Sequence, residues 1–181
     1  QLMVDRKDIY SKLVFGELPV SSWNKLIRRD FLKENSIDFY EGVIHEDVDF
    51  LYKLAAHVTS FALCPVITYC YRVQREGSIL PTTNDDRSTQ SRILVYNACL
   101  DKKMKMPFRK LLTRSIFLRL IFVLQTAHVS HDLRYSFNTL CWRTVHEASG
   151  MDGFWMGLYL RAPKFLKNRF YNLYSKKMKS L

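Results

Sequence analysis

Glycine, proline and long apolar runs are scarce in this chain, and each shortage excludes a class of protein. Only six Gly and five Pro occur among 181 residues, which excludes collagen-like and Gly/Pro-rich low-complexity sequences. No apolar run approaches the roughly 18 to 20 residues that a membrane-spanning helix needs. With 48% hydrophobic and 14% aromatic residues, the chain still has enough apolar material for a folded core.

The sequence also lacks the closely spaced cysteines of a disulfide framework or a zinc site. Its four cysteines, Cys64, Cys70, Cys99 and Cys141, lie far apart and include no Cys-x-x-Cys pair. A reducing, cytoplasmic setting fits this pattern best. The chain opens on Gln1 without a charged and apolar leader, so we expect no signal peptide and a piece of a longer protein.

Acidic residues are scarce in the second half of the chain, so the positive charge is concentrated there. Residues 1–101 hold 12 Lys/Arg and 14 Asp/Glu, a net charge of −2, whereas residues 102–181 hold 16 and 3, a net charge of +13. The first half is typical of an ordinary soluble domain. The second half is typical of a surface that meets an anionic partner.

The composition at the end of the chain indicates what kind of anionic partner this surface meets. Residues 161–181 interleave Lys and Arg with Phe and Tyr and contain no acid. This composition is typical of a helix at an anionic membrane surface, and we expect one over residues 163–178. The alternatives are a solvated or partner-docking helix and a nucleic-acid contact, although no nucleic-acid motif accompanies the basic residues.

The order of periodicities predicts an α/β fold followed by an all-helical extension. Aromatic and β-branched residues alternate with polar ones from Val66 to Tyr71, which predicts a strand. Later, Ser130 is a candidate N-cap of a long helix, and the Gly-rich segment 150–157 reads as a connection. We therefore expect a mixed α/β part over residues 1–85 and a basic helical extension over residues 86–181.

Two adjacent carboxylates at the start of a predicted helix are the strongest candidate for chemistry. Apolar residues recur at helical spacing from Glu46 onward, so Glu46 and Asp47 lie in the first turn. The positive end of the helix dipole and the unpaired backbone N–H groups stabilise ionised carboxylates there. Such a carboxylate can accept a proton from a hydroxyl that becomes a nucleophile. The alternative is that acidic residues are simply common in first turns.

A basic loop after the predicted strand is the second candidate. Arg72 ends the strand, and Arg75 and Ser78 follow at a place where α/β sheets position ligand-binding groups. Arginine there can hold a diphosphate, and the alternative is a solvated loop cation. The five histidines are dispersed and do not indicate a metal site.

Five short segments occur in a characteristic order in the first half of the chain. They are WNKLIRRDFL (23–32), IDF (37–39), EGVIHEDVDF (41–50), YCYR (69–72) and GSI (77–79). In order and spacing they resemble the second half of the bacterial family 2 glycosyltransferases. The resemblance covers about residues 18–80, and residues 81–181 match only loosely, as the variable helical extension that such enzymes often have.

The resemblance implies a GT-A fold, which is a Rossmann-like α/β sheet, and an inverting transfer of sugar from a nucleotide-diphosphate donor. In that family the acidic pair's Asp is the usual catalytic base. This role falls on Asp47, which deprotonates the acceptor hydroxyl, while Glu46 helps to place acceptor or sugar. The loop with Arg72, Arg75 and Ser78 is expected to close over the donor diphosphate. The remaining expected substrate-binding residues are Trp23, Asn24 and Lys25.

One departure from the family pattern limits what this chain can do. Family members place their nucleotide-binding strands and an Asp-x-Asp metal motif before the segment that resembles them, and no such motif precedes Trp23. We therefore expect a C-terminal portion that is inactive alone, with the Mg²⁺ or Mn²⁺ ligands upstream. The implied partners are a nucleotide-sugar donor, a saccharide or lipid-linked acceptor of surface polysaccharide synthesis and the anionic inner face of the cell membrane. The alternative is a non-enzymatic cationic helical module.

Overall fold

A computed structural model gives the fold of the chain. It describes residues 2–73, 85–101, 108–127, 129–148, 150–163, 166–167 and 171.

The described part of the chain is built mainly from α-helices. The helices are α1 (Arg6–Val14), α2 (Arg29–Glu34), α3 (Glu46–His57), α4 (Asp86–Asp101), α5 (Arg109–Thr126), α6 (His131–Glu147) and α7 (Met151–Arg161). A short 3₁₀ helix spans Ser22–Asn24 between α1 and α2. Two strands of two residues each, β1 (Leu2–Met3) and β2 (Phe61–Ala62), pair antiparallel, with Leu2 opposite Ala62.

The predicted α/β fold, a partial GT-A or Rossmann-like sheet, is therefore wrong. Within the described ranges the sheet consists of β1 and β2 alone, and α-helices dominate. The segment Val66–Tyr71, predicted as a strand, has no regular secondary structure. Its apolar side chains face solvent, with Ile67 87% exposed. Alternating residues favour an extended backbone, but a strand forms only where a neighbouring edge accepts its hydrogen bonds, and none of the described residues pairs with this segment.

The hydrophobic core is formed by helices from both halves of the chain. Helix α3 packs between α1 and α4, and α5 packs against α1 and α6. Leu51 and Tyr52 of α3 are fully buried in the same core as Ile9 of α1 and Ile116 of α5. The apolar residues whose spacing predicts α3 are thus the residues that fill the core. Their packing fixes where α3 begins relative to α4 and α5.

The helical second half is confirmed in part. Helix α6 follows Ser130 as predicted. The segment expected to be a Gly-rich connection is instead helix α7, because its glycines permit a close approach. A Cβ atom at Gly153 would lie 2.2 Å from the carbonyl oxygen of Ala148 at the end of α6. Glycine costs some helix propensity, but here it permits the sharp turn between two packed helices.

The predicted basic helix over residues 163–178 falls mostly outside the described residues, so its place at a membrane surface stays a prediction. Across the described ranges, the helices are all too short or too polar to cross a bilayer.

Candidate functional site

Asp47 lies where the sequence predicts it, in the first turn of α3. Its side chain is partly buried, and Glu46 beside it is the first residue of the helix. Burial raises the pKa of Asp47 above its ordinary value, while the Val48 backbone N–H and the positive charge of Arg119 act in the opposite direction. A partly desolvated carboxylate with a raised pKa is a stronger base than an exposed Asp, and the neighbouring donors and cations limit that rise.

Lys25 is held close to this carboxylate by the loop that precedes α2. Its ammonium group donates to the carbonyl oxygens of Pro19 at 2.5 Å and Ser21 at 2.7 Å, and to Oδ1 of Asn24 at 2.9 Å. Burial lowers the pKa of Lys25, and the nearby charge of Asp47 opposes that change. Lys25 therefore orders the loop and adds positive charge beside Asp47. Asn24 accepts one of these hydrogen bonds, and its predicted part in substrate binding stays a prediction.

Trp23 forms an exposed aromatic stack on the same side of the molecule. Its ring lies 4.1 Å from that of Tyr69 and 5.6 Å from that of Tyr71, both nearly parallel to it. All three side chains are about half exposed, at 48 to 49%. The 3₁₀ helix that contains Trp23 packs against α3. We call Trp23, Tyr69 and Tyr71 the aromatic platform.

The predicted diphosphate loop is described only at its start. Arg72 is exposed and directly follows Tyr71 of the aromatic platform, while Arg75 and Ser78 lie outside the described residues. Its closure over a diphosphate thus stays a prediction.

The described part of the chain contains no set of ligands for the Mg²⁺ or Mn²⁺ ion that the resemblance implies. No group of three or more His, Cys, Asp or Glu is arranged there to hold an ion. The charges that act on Asp47 are those of Arg119 and Lys25, and positive charge next to the carboxylate disfavours a divalent cation there.

Two arginines that the sequence analysis did not single out also surround the start of α3. Arg92 of α4 and Arg119 of α5 are both close enough to His45 to lower the pKa of its imidazole. Arg119 stands alone as a charged residue in the otherwise apolar run 116–124. A single cation within an apolar helical segment indicates a specific role. The isolated charge of Arg119 was therefore the sequence signal that could have identified this residue.

His45, directly before α3, should make the stability of the protein depend on pH. Burial first, and then the charges of Arg92 and Arg119, lower its pKa to about 4, although Asp85 acts to raise it. The unfolded chain binds a proton near pH 6.5 and the folded chain only near pH 4, so stability is fully present above 6.5 and falls as pH decreases through that window. Because the ring is partly exposed, we expect a loss of about 2 kcal/mol rather than the full linkage value.

Urea unfolding at pH 7 and pH 4.5 measures this effect. His45→Gln should remove most of the difference between the two pH values, whereas His131→Gln, which changes a side chain that is 99% exposed, should leave it intact. An unchanged pH dependence in His45→Gln would show that other groups cause it. Asp47 cannot cause the same loss of stability at low pH, because a carboxyl group with a raised pKa stabilises the folded state as pH falls.

The structure thus places Lys25 and Arg119 near Asp47, Arg92 near His45, and the 3₁₀ helix of Trp23 against α3, while Arg72 is exposed. Compared with known proteins, the chain matches no family model, no curated protein and no solved structure.

Proposed function

We propose that this chain contains the acceptor side and the catalytic base of an inverting glycosyltransferase that uses a nucleotide-diphosphate sugar. The observation that supports this most is a partly buried carboxylate, Asp47, on a helix against which the 3₁₀ helix of Trp23 packs, with Trp23 stacked in the half-exposed aromatic platform. Sugar rings present C–H groups on their flat faces, and the electron-rich face of an aromatic ring attracts them. A site for a saccharide therefore needs such a platform near the group that reacts with its hydroxyl.

In the proposed reaction, a ring of the acceptor lies on Trp23 and directs one hydroxyl towards Asp47. The carboxylate accepts the hydroxyl proton while the oxygen attacks the anomeric carbon of the donor sugar. The bond from that carbon to the nucleotide diphosphate breaks, the diphosphate takes up the electron pair, and the anomeric configuration is inverted. The raised pKa of Asp47 favours this step, since a base transfers protons best when its pKa approaches the working pH.

Lys25 and Arg119 have a supporting part in this scheme. Their charges keep Asp47 ionised despite burial, because each lowers its pKa. Glu46, which begins α3, is in place to accept a hydrogen bond from a second hydroxyl of the acceptor or sugar. The rival function, a non-enzymatic cationic module, rests on residues 161–181, most of which lie outside the described residues.

Removing the centre of the aromatic platform tests the proposal. In the full-length gene product, Trp23→Ala should raise the KM for the acceptor about tenfold or more and change kcat less, because stacking contributes about 1 kcal/mol or more of binding before the reaction begins. Transfer is measured with labelled nucleotide sugars and host-membrane acceptors. Tyr135→Ala, which removes an aromatic ring that is 81% exposed on α6, is the matched control and should behave like the wild type.

Two results would contradict the proposal. One is the absence of sugar transfer from every nucleotide sugar tried by a folded full-length protein. The other is an equal effect of Trp23→Ala and Tyr135→Ala, which would remove the aromatic platform from the site.

A further inference from the structure

A cavity of about 410 Å³ lies between the loop after α1 and the helices α4 and α5. Its volume is within the range of small-molecule sites. The polar side chains in its lining are Arg92, Tyr96, Ser115, Arg119 and Tyr171, and the apolar ones include Leu118 and Phe122. Neither Asp47 nor the aromatic platform lines it, and Arg119, whose charge acts on Asp47, is the residue that the cavity shares with the proposed saccharide site.

The two arginines place positive charge in the cavity that no nearby acid neutralises by contact. Among the described residues, no carboxylate forms an ion pair with either guanidinium. Asp85 is the acid that interacts with Arg92, and its Oδ1 already accepts a hydrogen bond from the Ser88 backbone N–H at 2.8 Å. Burial and the charge of Arg119 both lower the pKa of Arg92, which shows how unfavourable this arrangement is for a cation.

Arg92 also has an unused donor. Its Nη1 atom is buried and has no hydrogen-bond partner among the described residues. A buried donor without a partner destabilises the folded state, and more so when it is charged. Folded proteins rarely tolerate such a group unless a ligand satisfies it.

Arg119 is fixed in place by its neighbours rather than neutralised by them. Its Nη2 donates to the carbonyl oxygen of Val14 at 3.3 Å. Ser115 donates to the same carbonyl at 2.5 Å and hydrogen-bonds the hydroxyl of Tyr52 at 2.7 Å. This network holds the guanidinium at the cavity before any ligand arrives, which reduces the entropy lost on binding.

We propose that this cavity binds the phosphate group of a ligand between Arg92 and Arg119. Guanidinium forks match the geometry of phosphate oxygens, and a dianion between the two side chains would neutralise both charges. The apolar remainder of the lining leaves room for the rest of the molecule. The phosphate can belong to a nucleotide or to a lipid phosphate, and the test distinguishes these sources. The inference does not depend on sugar transfer.

Calorimetric titration of the full chain with pyrophosphate at low salt tests the site. We expect saturable binding with a stoichiometry of one, weakened at least tenfold by Arg92→Gln. Arg92→Lys should bind with intermediate affinity, because it keeps the charge and loses the planar fork. Arg87→Gln removes the same charge from an exposed position on α4 and should change the affinity less than twofold. Circular dichroism confirms that each variant is folded.

Competition against bound pyrophosphate identifies the source of the phosphate. Tighter binding of uridine diphosphate indicates a nucleotide, tighter binding of a ten-carbon prenyl phosphate indicates a lipid, and equal binding indicates a site for the phosphate group alone. The proposal is overturned if the wild type shows no saturable binding of pyrophosphate. It is also overturned if Arg87→Gln loses as much affinity as Arg92→Gln, since binding would then reflect only the general positive charge.

Discussion

Under the proposed function, replacing Asp47 by Asn should lower sugar transfer about 10³-fold, within the range that general bases contribute. The amide has nearly the volume of the carboxylate and can still accept the backbone N–H of Val48, so α3 should begin at the same residue. It cannot accept the proton of the acceptor hydroxyl. The loss should therefore appear in kcat, with nucleotide and acceptor binding preserved.

Two controls separate a catalytic base from a helix-capping carboxylate. Asp30 lies in the first turn of α2 and is exposed, so Asp30→Asn makes the same chemical change at another helix start and should leave transfer unchanged. The pH profile gives the second control. Wild-type activity should decline as pH decreases through the pKa of Asp47, which lies above its ordinary value, and the residual activity of Asp47→Asn should lack this limb. Retained activity in Asp47→Asn would reject Asp47 as the base.

The sequence predicted the start of α3 because the signals for it are local. An acidic first turn followed by apolar residues at helical spacing is contained within the twelve residues Glu46–His57. Ser130 before α6 is a similar case. Such patterns depend little on the rest of the chain, and the two helices begin where they are expected.

The errors arose where structure depends on distant partners. Val66–Tyr71 has the residue types of a strand, yet Tyr69 and Tyr71 stack on Trp23, more than forty residues away, and not on a neighbouring strand. The positions of Arg119 near Asp47 and of Arg92 near His45 require α4 and α5 to pack beside α3, which no local pattern encodes. Family resemblance concerned residues 18–80, so it could not include these two arginines.

A buried ion pair inside α3 supplies the largest expected effect on stability. Lys53 lies 2.7 Å from Asp49 one turn earlier and 2.6 Å from Asp38 in the preceding loop. The side chain of Asp49 is only 1% exposed, whereas that of Asp38 is 80% exposed. Burial alone would lower the pKa of Lys53, but its hydrogen bonds to Asp38 and Asp49 raise it above the ordinary value. The ammonium therefore stays charged throughout the physiological range and neutralises a carboxylate inside the core.

Lys53→Met should destabilise the protein by about 3–5 kcal/mol, because it leaves the charge of Asp49 buried without its cation. For a chain of this length that corresponds to a decrease in Tm of roughly 10 °C. Lys12→Met breaks an ion pair of the same i, i+4 spacing with Asp8 on the surface of α1, and it should cost less than about 1 kcal/mol. Urea unfolding at pH 7 compares the two variants directly.

The double variant Lys53→Met with Asp49→Leu decides why the pair is costly to break. If the loss in Lys53→Met comes from an uncompensated buried charge, removing that charge as well should recover most of the stability, since apolar residues of similar volume replace buried ion pairs at little cost. If the loss comes from packing or from the contact of Lys53 with Asp38, the double variant should be no more stable than Lys53→Met. Because α3 begins at Glu46 and its interior is anchored by this pair, the same experiment measures how firmly the core holds Asp47 in place.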